Sequence, residues 1–229
     1  MKRPHPSSPL RSRRVLAGSI AAALCAFLGQ ASSVAAPLYW DTNGNVAGSG
    51  DPTGTWGTDL FWTSSAAGTT ATGGYVSGSD VIFSAGTTGL TGTVTVGATQ
   101  IANSITFDDN VVFTLTGGTG LTLGGTTGQG IFVAAGDNVP NTINTPITLD
   151  PLAVLPVQNA GTGLLTLTNL TGAATTGVQT VTFSAPNTGG LTVAGIIGNG
   201  VGGGAIAVTV NSTGSGVTSL TGRIPLPAG

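Results

Sequence analysis

Basic residues are almost missing from this chain once its first fourteen positions are passed. Lys2, Arg3, Arg11, Arg13 and Arg14 leave Arg223 as the sixth and last cation. The only His is His5, the only Met is Met1, the only Cys is Cys25, and there is no Glu. From residue 36 onward, one Arg against eight Asp leaves a net charge of −7. Each absence excludes something. A lone Cys cannot form an internal disulfide, so an oxidising compartment would supply no covalent staple. A chain so poor in cations has no electrostatic footprint for nucleic acid and cannot cling to an anionic bilayer by charge. Without His, Lys, Cys or Glu, most of the groups used for proton transfer and nucleophilic attack are gone. The expectation is a non-catalytic chain with no cofactor.

What the chain has at its start is a tripartite leader over residues 1–35. A basic stretch precedes an uncharged apolar run from Val15 to Leu28, and small residues follow at Ala31, Ser32, Ser33, Val34, Ala35 and Ala36. This is the layout of a secretory signal peptide. The apolar run is too short to span a bilayer, which takes about 20 residues. Ser33-Val34-Ala35 fits the small-x-small cleavage pattern, so cleavage is expected after Ala35; a cut after Ala36 would set Pro37 beside the scissile bond. Arg13-Arg14 fits a twin-arginine export signal as well as an ordinary basic leader. Cys25 lacks the small residue that precedes a lipidated Cys, and reads as part of the apolar helix of the leader. The mature chain is expected outside the cytoplasm, extracellular or at the cell surface, with the periplasm as the other destination.

The whole chain has 39 Gly and 38 Thr, and every Thr lies beyond residue 36. Beyond that point the local period is two, not 3.6. Aliphatic or aromatic residues alternate with Thr or Ser in Thr93–Val96, Asn103–Phe107, Val112–Leu115, Leu121–Leu123, Pro146–Leu149, Leu164–Thr168, Val181–Phe183, Leu191–Val193 and Ala207–Val210. Gly, Asn, Asp and Pro bound these runs and supply turn geometry. Strong helix formers are scarce and Gly is too frequent for helices. The chain is therefore expected to be all-β.

Two architectures suit many short strands: an antiparallel sandwich or a parallel solenoid whose turns stack. The brevity of the strands and the recurrence of one [Leu/Val/Ile]-Thr-[Leu/Val/Phe] unit favour the solenoid, with the sandwich as the alternative. Identical small residues can then form ladders. The central Thr residues 148, 166, 182, 192 and 209 lie 18, 16, 10 and 17 apart. A turn of about 20 residues predicts roughly eight to nine turns, a rod on the order of 40 Å long at strand spacing. All three Trp (40, 56, 62) and both Tyr (39, 75) fall between 39 and 75. The domain reading is a leader over 1–35, an aromatic N-terminal cap over 36–79 and solenoid repeats over 80–229. The cap would hide the open end of the stack. The other reading of Trp40, Trp56 and Trp62 is a platform on which sugar rings stack.

Tyr39-Trp40-Asp41-Thr42-Asn43-Gly44, then Gly54-Thr55-Trp56, Phe61-Trp62-Thr63, Asp80–Gly86 and Ile101–Phe107 occur in that order. This series resembles the start of bacterial exported proteins with autotransporter-associated β-strand repeats. The resemblance is carried by 38–125 and continues by composition. It implies a passenger-type parallel β-helix at or beyond the cell surface. The family's Leu-Thr-Gly-Ala-Asn-like segment starts at Ser219-Leu220-Thr221-Gly222 and breaks off at Arg223-Ile224-Pro225, which reads as a truncation. No C-terminal barrel follows, so self-transport is not implied.

Few residues invite a chemical role. Asp108-Asp109 is the sole acidic pair, but neighbours on a strand point to opposite faces, and Asp and Asn favour turns. Arg223 is the one base a lyase could use. Asp41-x-Asn43-x-Asn45 alternates oxygen ligands as calcium loops do, yet its Gly is misplaced for an EF-hand and no acid closes the loop; an Asx turn is the expected role. Gly202-Gly203-Gly204 has no following Lys and reads as a turn. The functional expectation is a structural or adhesive solenoid whose partners are surface glycans or further copies of itself, with a carbohydrate-binding module as the alternative.

Overall fold

The computed structural model describes residues 36–87, 90–124, 128–150, 154–200 and 203–224. The expected leader, its cleavage site at Ala35, Arg13-Arg14 and Cys25 lie outside the described residues, as do Gly202, Pro225 and Pro227.

No helix occurs among the described residues, which form twenty short strands. Three come first: β1 (Leu38–Trp40), β2 (Gly54–Trp56) and β3 (Trp62–Thr63). Five complete turns follow, each of three strands. They are β4 (Asp80–Phe83), β5 (Gly92–Val96) and β6 (Gln100–Ala102); β7 (Ser104–Phe107), β8 (Phe113–Thr116) and β9 (Leu121–Leu123); β10 (Gly130–Val133), β11 (Asn141–Ile143) and β12 (Ile147–Leu149); β13 (Val154–Asn159), β14 (Leu165–Leu167) and β15 (Leu170–Gly172); and β16 (Val178–Ser184), β17 (Leu191–Val193) and β18 (Ile197–Gly198). β19 (Ala205–Val210) and β20 (Thr218–Leu220) begin a sixth. Successive turns stack into three sheets, ordered β19-β16-β13-β10-β7-β4-β1-β3, β2-β5-β8-β11-β14-β17-β20 and β18-β15-β12-β9-β6. Every pairing between turns is parallel. The fold is a parallel β-solenoid, and the antiparallel sandwich is not favoured.

Register follows the alternation. One inward column of the first sheet runs Val81, Ile105, Ile131, Val157, Phe183 and Val210. The second sheet stacks Val94, Leu115, Ile143, Leu167, Val193 and Leu220. The third stacks Leu121, Ile147, Leu170 and Ile197. Most of these side chains are fully buried, and each covers its neighbour above and below. No single turn could bury them alone, so stability comes from stacking.

The turn is longer than the sequence spacing implies. The first column advances by 24, 26, 26, 26 and 27 residues. There are five complete turns, not eight or nine, and seven stacked strands span about 29 Å at the usual spacing. The Thr-centred units misled because they sit in different sheets. Thr182 and Thr192 belong to β16 and β17 of one turn, while Thr148 and Thr166 belong to β12 and to β14 of the next. Their intervals measure distances between sheets, not the pitch of a turn.

The segment 36–79 does not stand apart from the stack. β1 and β2 pair in parallel with β4 and β5, and so supply a rung to two sheets. β3 then runs antiparallel to β1 and occupies the sheet's outer edge. At the other end, Val210 lies over Phe183 and is 50 % exposed, and Ile206, Val208 and Leu220 are only partly buried.

Candidate functional site

The three Trp rings lie inside the protein. Trp40, Trp56 and Trp62 are 0, 0 and 2 % exposed. Trp62 meets Trp40 edge to face at 5.1 Å and Trp56 at 5.4 Å. Phe83, from the next turn, touches all three at 5.8–6.0 Å. Trp40 Nε1 donates to the Pro52 carbonyl at 2.9 Å. Alternation along β1 and β2 turns Trp40 and Trp56 inward, and the antiparallel pairing of Trp40 with Trp62 brings the third ring beside them. A sugar stacks only on an exposed ring face, and these rings offer none. Their contacts instead bury a large apolar area, with edge-to-face geometry adding about 0.5–1.5 kcal/mol per pair.

The Asp41-Asn43-Asn45 segment directly follows Trp40. Asp41 is fully buried. Its Oδ1 accepts the Asn43 N–H at 3.0 Å, which makes the expected Asx turn. Among the described residues its Oδ2 has no partner, and neither has the buried Asn43 Oδ1. Burial raises the Asp41 carboxyl above its usual value, against the lowering effect of the Asn43 and Gly44 N–H groups. Asn45 is exposed.

Asp108 and Asp109 lie in the turn after β7. Asp108 is exposed, and Asp109 accepts a hydrogen bond from the Ser84 hydroxyl at 3.0 Å. The next turn brings a third carboxylate that sequence spacing did not link to them. Asp137 is fully buried, accepts from Val139 N–H at 3.1 Å and from Asn141 Nδ2 at 2.8 Å, and feels the charge of Asp108. Burial raises both Asp109 and Asp137. Among the described residues, no group of three or more His, Cys, Asp or Glu is placed to hold a metal ion. Arg223 is exposed beside β20, in the last described turn, whereas every Asp lies at or before residue 150.

Interior polar residues were the part sequence reading missed. Asn159, Gln179 and Asn141 occupy inward positions; turn backbone satisfies the first two, and Asn141 accepts the Phe113 N–H at 3.0 Å and donates to Asp137 at 2.8 Å. Asn159 Nδ2 donates to the Gly163 and Gly190 carbonyls at 2.7 Å each, and its Oδ1 accepts the Gly161 N–H at 3.0 Å. Gln179 donates to the Asp150 carbonyl at 2.7 Å and accepts from Ala174 N–H at 3.0 Å. Their only sequence signal is an amide in an aliphatic slot at a strand end.

The outer face of the second sheet carries hydroxyls in register. Thr93, Thr114, Thr142, Thr166, Thr192 and Ser219 form one unbroken column over six strands. Thr55, Thr95 and Thr116 form a second beside it. The third sheet adds Thr122, Thr148 and Thr171. These side chains are exposed or half-exposed, and they repeat at the strand spacing of about 4.8 Å. No protein-family model, no curated protein and no solved structure matches the chain.

Proposed function

We propose that this is a non-catalytic, exported structural or adhesive solenoid that acts at the cell surface or outside the cell. The observation that carries the reading is the in-register hydroxyl column from Thr93 to Ser219 on strands that carry no charged residue. Such a face offers repeated donors and acceptors to an extended partner, and several weak contacts in register add up as a multivalent attachment does. Surface glycans or a second copy of the chain are partners of suitable chemistry. The hydroxyl face, not the buried Trp cluster, is the surface available to them. The basic, apolar and small-residue leader supports export, and the near absence of cations supports a role away from nucleic acid.

The test is adhesion of cells or beads displaying the chain to glycan-coated surfaces and to surfaces coated with the chain itself. A Thr114→Lys, Thr142→Lys, Thr166→Lys variant places three like charges in one column while leaving the interior alone. Wild-type retention that is lost in the variant, with the circular dichroism spectrum unchanged, supports the reading. Equal retention of both proteins counts against it.

A further inference from the structure

The loop from Asp41 to Asp51 holds two buried oxygens that no group among the described residues satisfies. Asp41 Oδ2 and Asn43 Oδ1 are acceptors without donors. An orphaned buried acceptor is costly, more so when it is charged, and the two occur two residues apart. The loop around them is firmly held. Asp41 N–H donates to Phe61 O at 2.8 Å, Thr42 N–H to Ser49 O at 2.8 Å and Gly48 N–H to Ala67 O at 3.0 Å. Gly48 (φ 92°) and Gly68 (φ 65°) take backbone angles that favour glycine. A Cβ on Gly68 would press on the Gly48 carbonyl oxygen and lie 3.3 Å from Asp41 Oδ2. That carbonyl and the carboxylate therefore flank the same bare glycine.

We propose that Asp41 Oδ2, Asn43 Oδ1 and the Gly48 carbonyl oxygen are the protein ligands of a calcium ion, with water completing the shell. A single cation can take lone pairs from a carboxylate, a carboxamide and a main-chain carbonyl oxygen at once. Three oxygens and no nitrogen or sulfur select a hard ion. A mixture of carboxylate, carboxamide and main-chain oxygens in an irregular loop suits calcium better than magnesium, which demands near-ideal octahedral geometry. The set differs from the one the alternating sequence implies: Asn45 is exposed and drops out, and a main-chain carbonyl closes the loop where no acid does. One carboxylate among neutral ligands gives a weak site, with Kd on the order of 10⁻⁴–10⁻³ M, as in extracellular calcium modules. The inference does not depend on the adhesive reading.

The experiment is calorimetric titration of the chelator-stripped full chain with calcium chloride, alongside terbium luminescence excited through the Trp cluster. Wild type should bind one ion in that range. Asp41→Asn should weaken binding at least tenfold and still fold, because its amide places a donor where an unpartnered acceptor stood. Asn43→Ala should weaken binding comparably and serves as the second variant should Asp41→Asn unfold. Asp51→Asn, at an exposed carboxylate of the same loop, should bind as wild type does. No calcium binding by wild type at about tenfold above that range overturns the proposal. So does Asp41→Asn or Asn43→Ala binding as tightly as wild type, or Asp51→Asn losing as much as Asp41→Asn.

Discussion

Phe83 stacks on Phe107, one turn further along the same inward column, with ring centroids 5.7 Å apart and planes 23° from parallel. Phe83 also touches Trp40, Trp56 and Trp62, so it joins the repeating stack to the aromatic end. Truncating it opens a cavity at that junction. Phe83→Ala should cost about 3–5 kcal/mol, read as a lower denaturant midpoint with an unchanged slope. It should also shift the Trp emission spectrum of the folded chain. Phe183→Ala should cost a similar amount and leave the emission as it is, because Phe183 touches no Trp.

Acid should stabilise the protein. Burial raises the carboxyls of Asp109 and Asp137 in the folded chain. The folded state then holds protons that the unfolded state has released. Stability from these groups is greatest below the unfolded value of 3.8, declines as pH rises through the window up to the raised folded values, and stays low above it. The melting temperature should be higher near pH 4 than near pH 7. Asp109→Asn should reduce that difference, since the Ser84 hydroxyl can still pair with an amide. A melting temperature that falls on acidification would contradict this account.

Asn159→Ala should be costly for a surface-like residue type. The side chain is fully buried and joins its own turn to the next through Gly163 and Gly190. Its removal leaves the Gly163 carbonyl and the Gly161 N–H without their partner, at about 1–3 kcal/mol for each group that water cannot reach, while the Gly190 carbonyl keeps the Leu165 N–H at 3.0 Å. Equilibrium unfolding in urea checks this. A loss under 1 kcal/mol, on the order of a surface substitution, would show that water replaces the amide.

Protection from hydrogen exchange should be graded along the stack. Columns are fully buried from Val81 through Val193, whereas Ile206, Val208, Val210 and Leu220 are covered on one side only. Amides of β19 and β20 should exchange faster than those of residues 105–195 in a dilute sample. Uniform protection up to residue 220 would mean that something covers that end.

The all-β class and the solenoid were legible because Val, Ile and Leu alternate with Thr in runs of three to five residues, a pattern that survives whatever each strand pairs with. Turn length was not legible. Thr182 and Thr192 look like successive repeats, yet they lie in two sheets of one turn, and no local pattern distinguishes the sheets. Strands such as β11 (Asn141–Ile143) and β13 (Val154–Asn159) were also hidden, because Asn141, Pro156 and Asn159 break the aliphatic alternation. The stacking that makes Asn159 an interior residue is a contact 31 residues long in sequence. Asp137 joined the Asp108-Asp109 region for the same reason. At Asp41, the oxygen-rich spacing was visible, but which oxygens lack partners depends on Phe61, Ala67 and Gly68, far along the chain.

The column step of 26 residues repeats in three consecutive turns, Ile105 to Ile131 to Val157 to Phe183. A unit of that length can be duplicated or lost in the gene without moving any remaining side chain from the inside to the outside. The reach of the hydroxyl columns would then change in steps of one strand spacing, about 4.8 Å. Length in this molecule is inherited as a whole number.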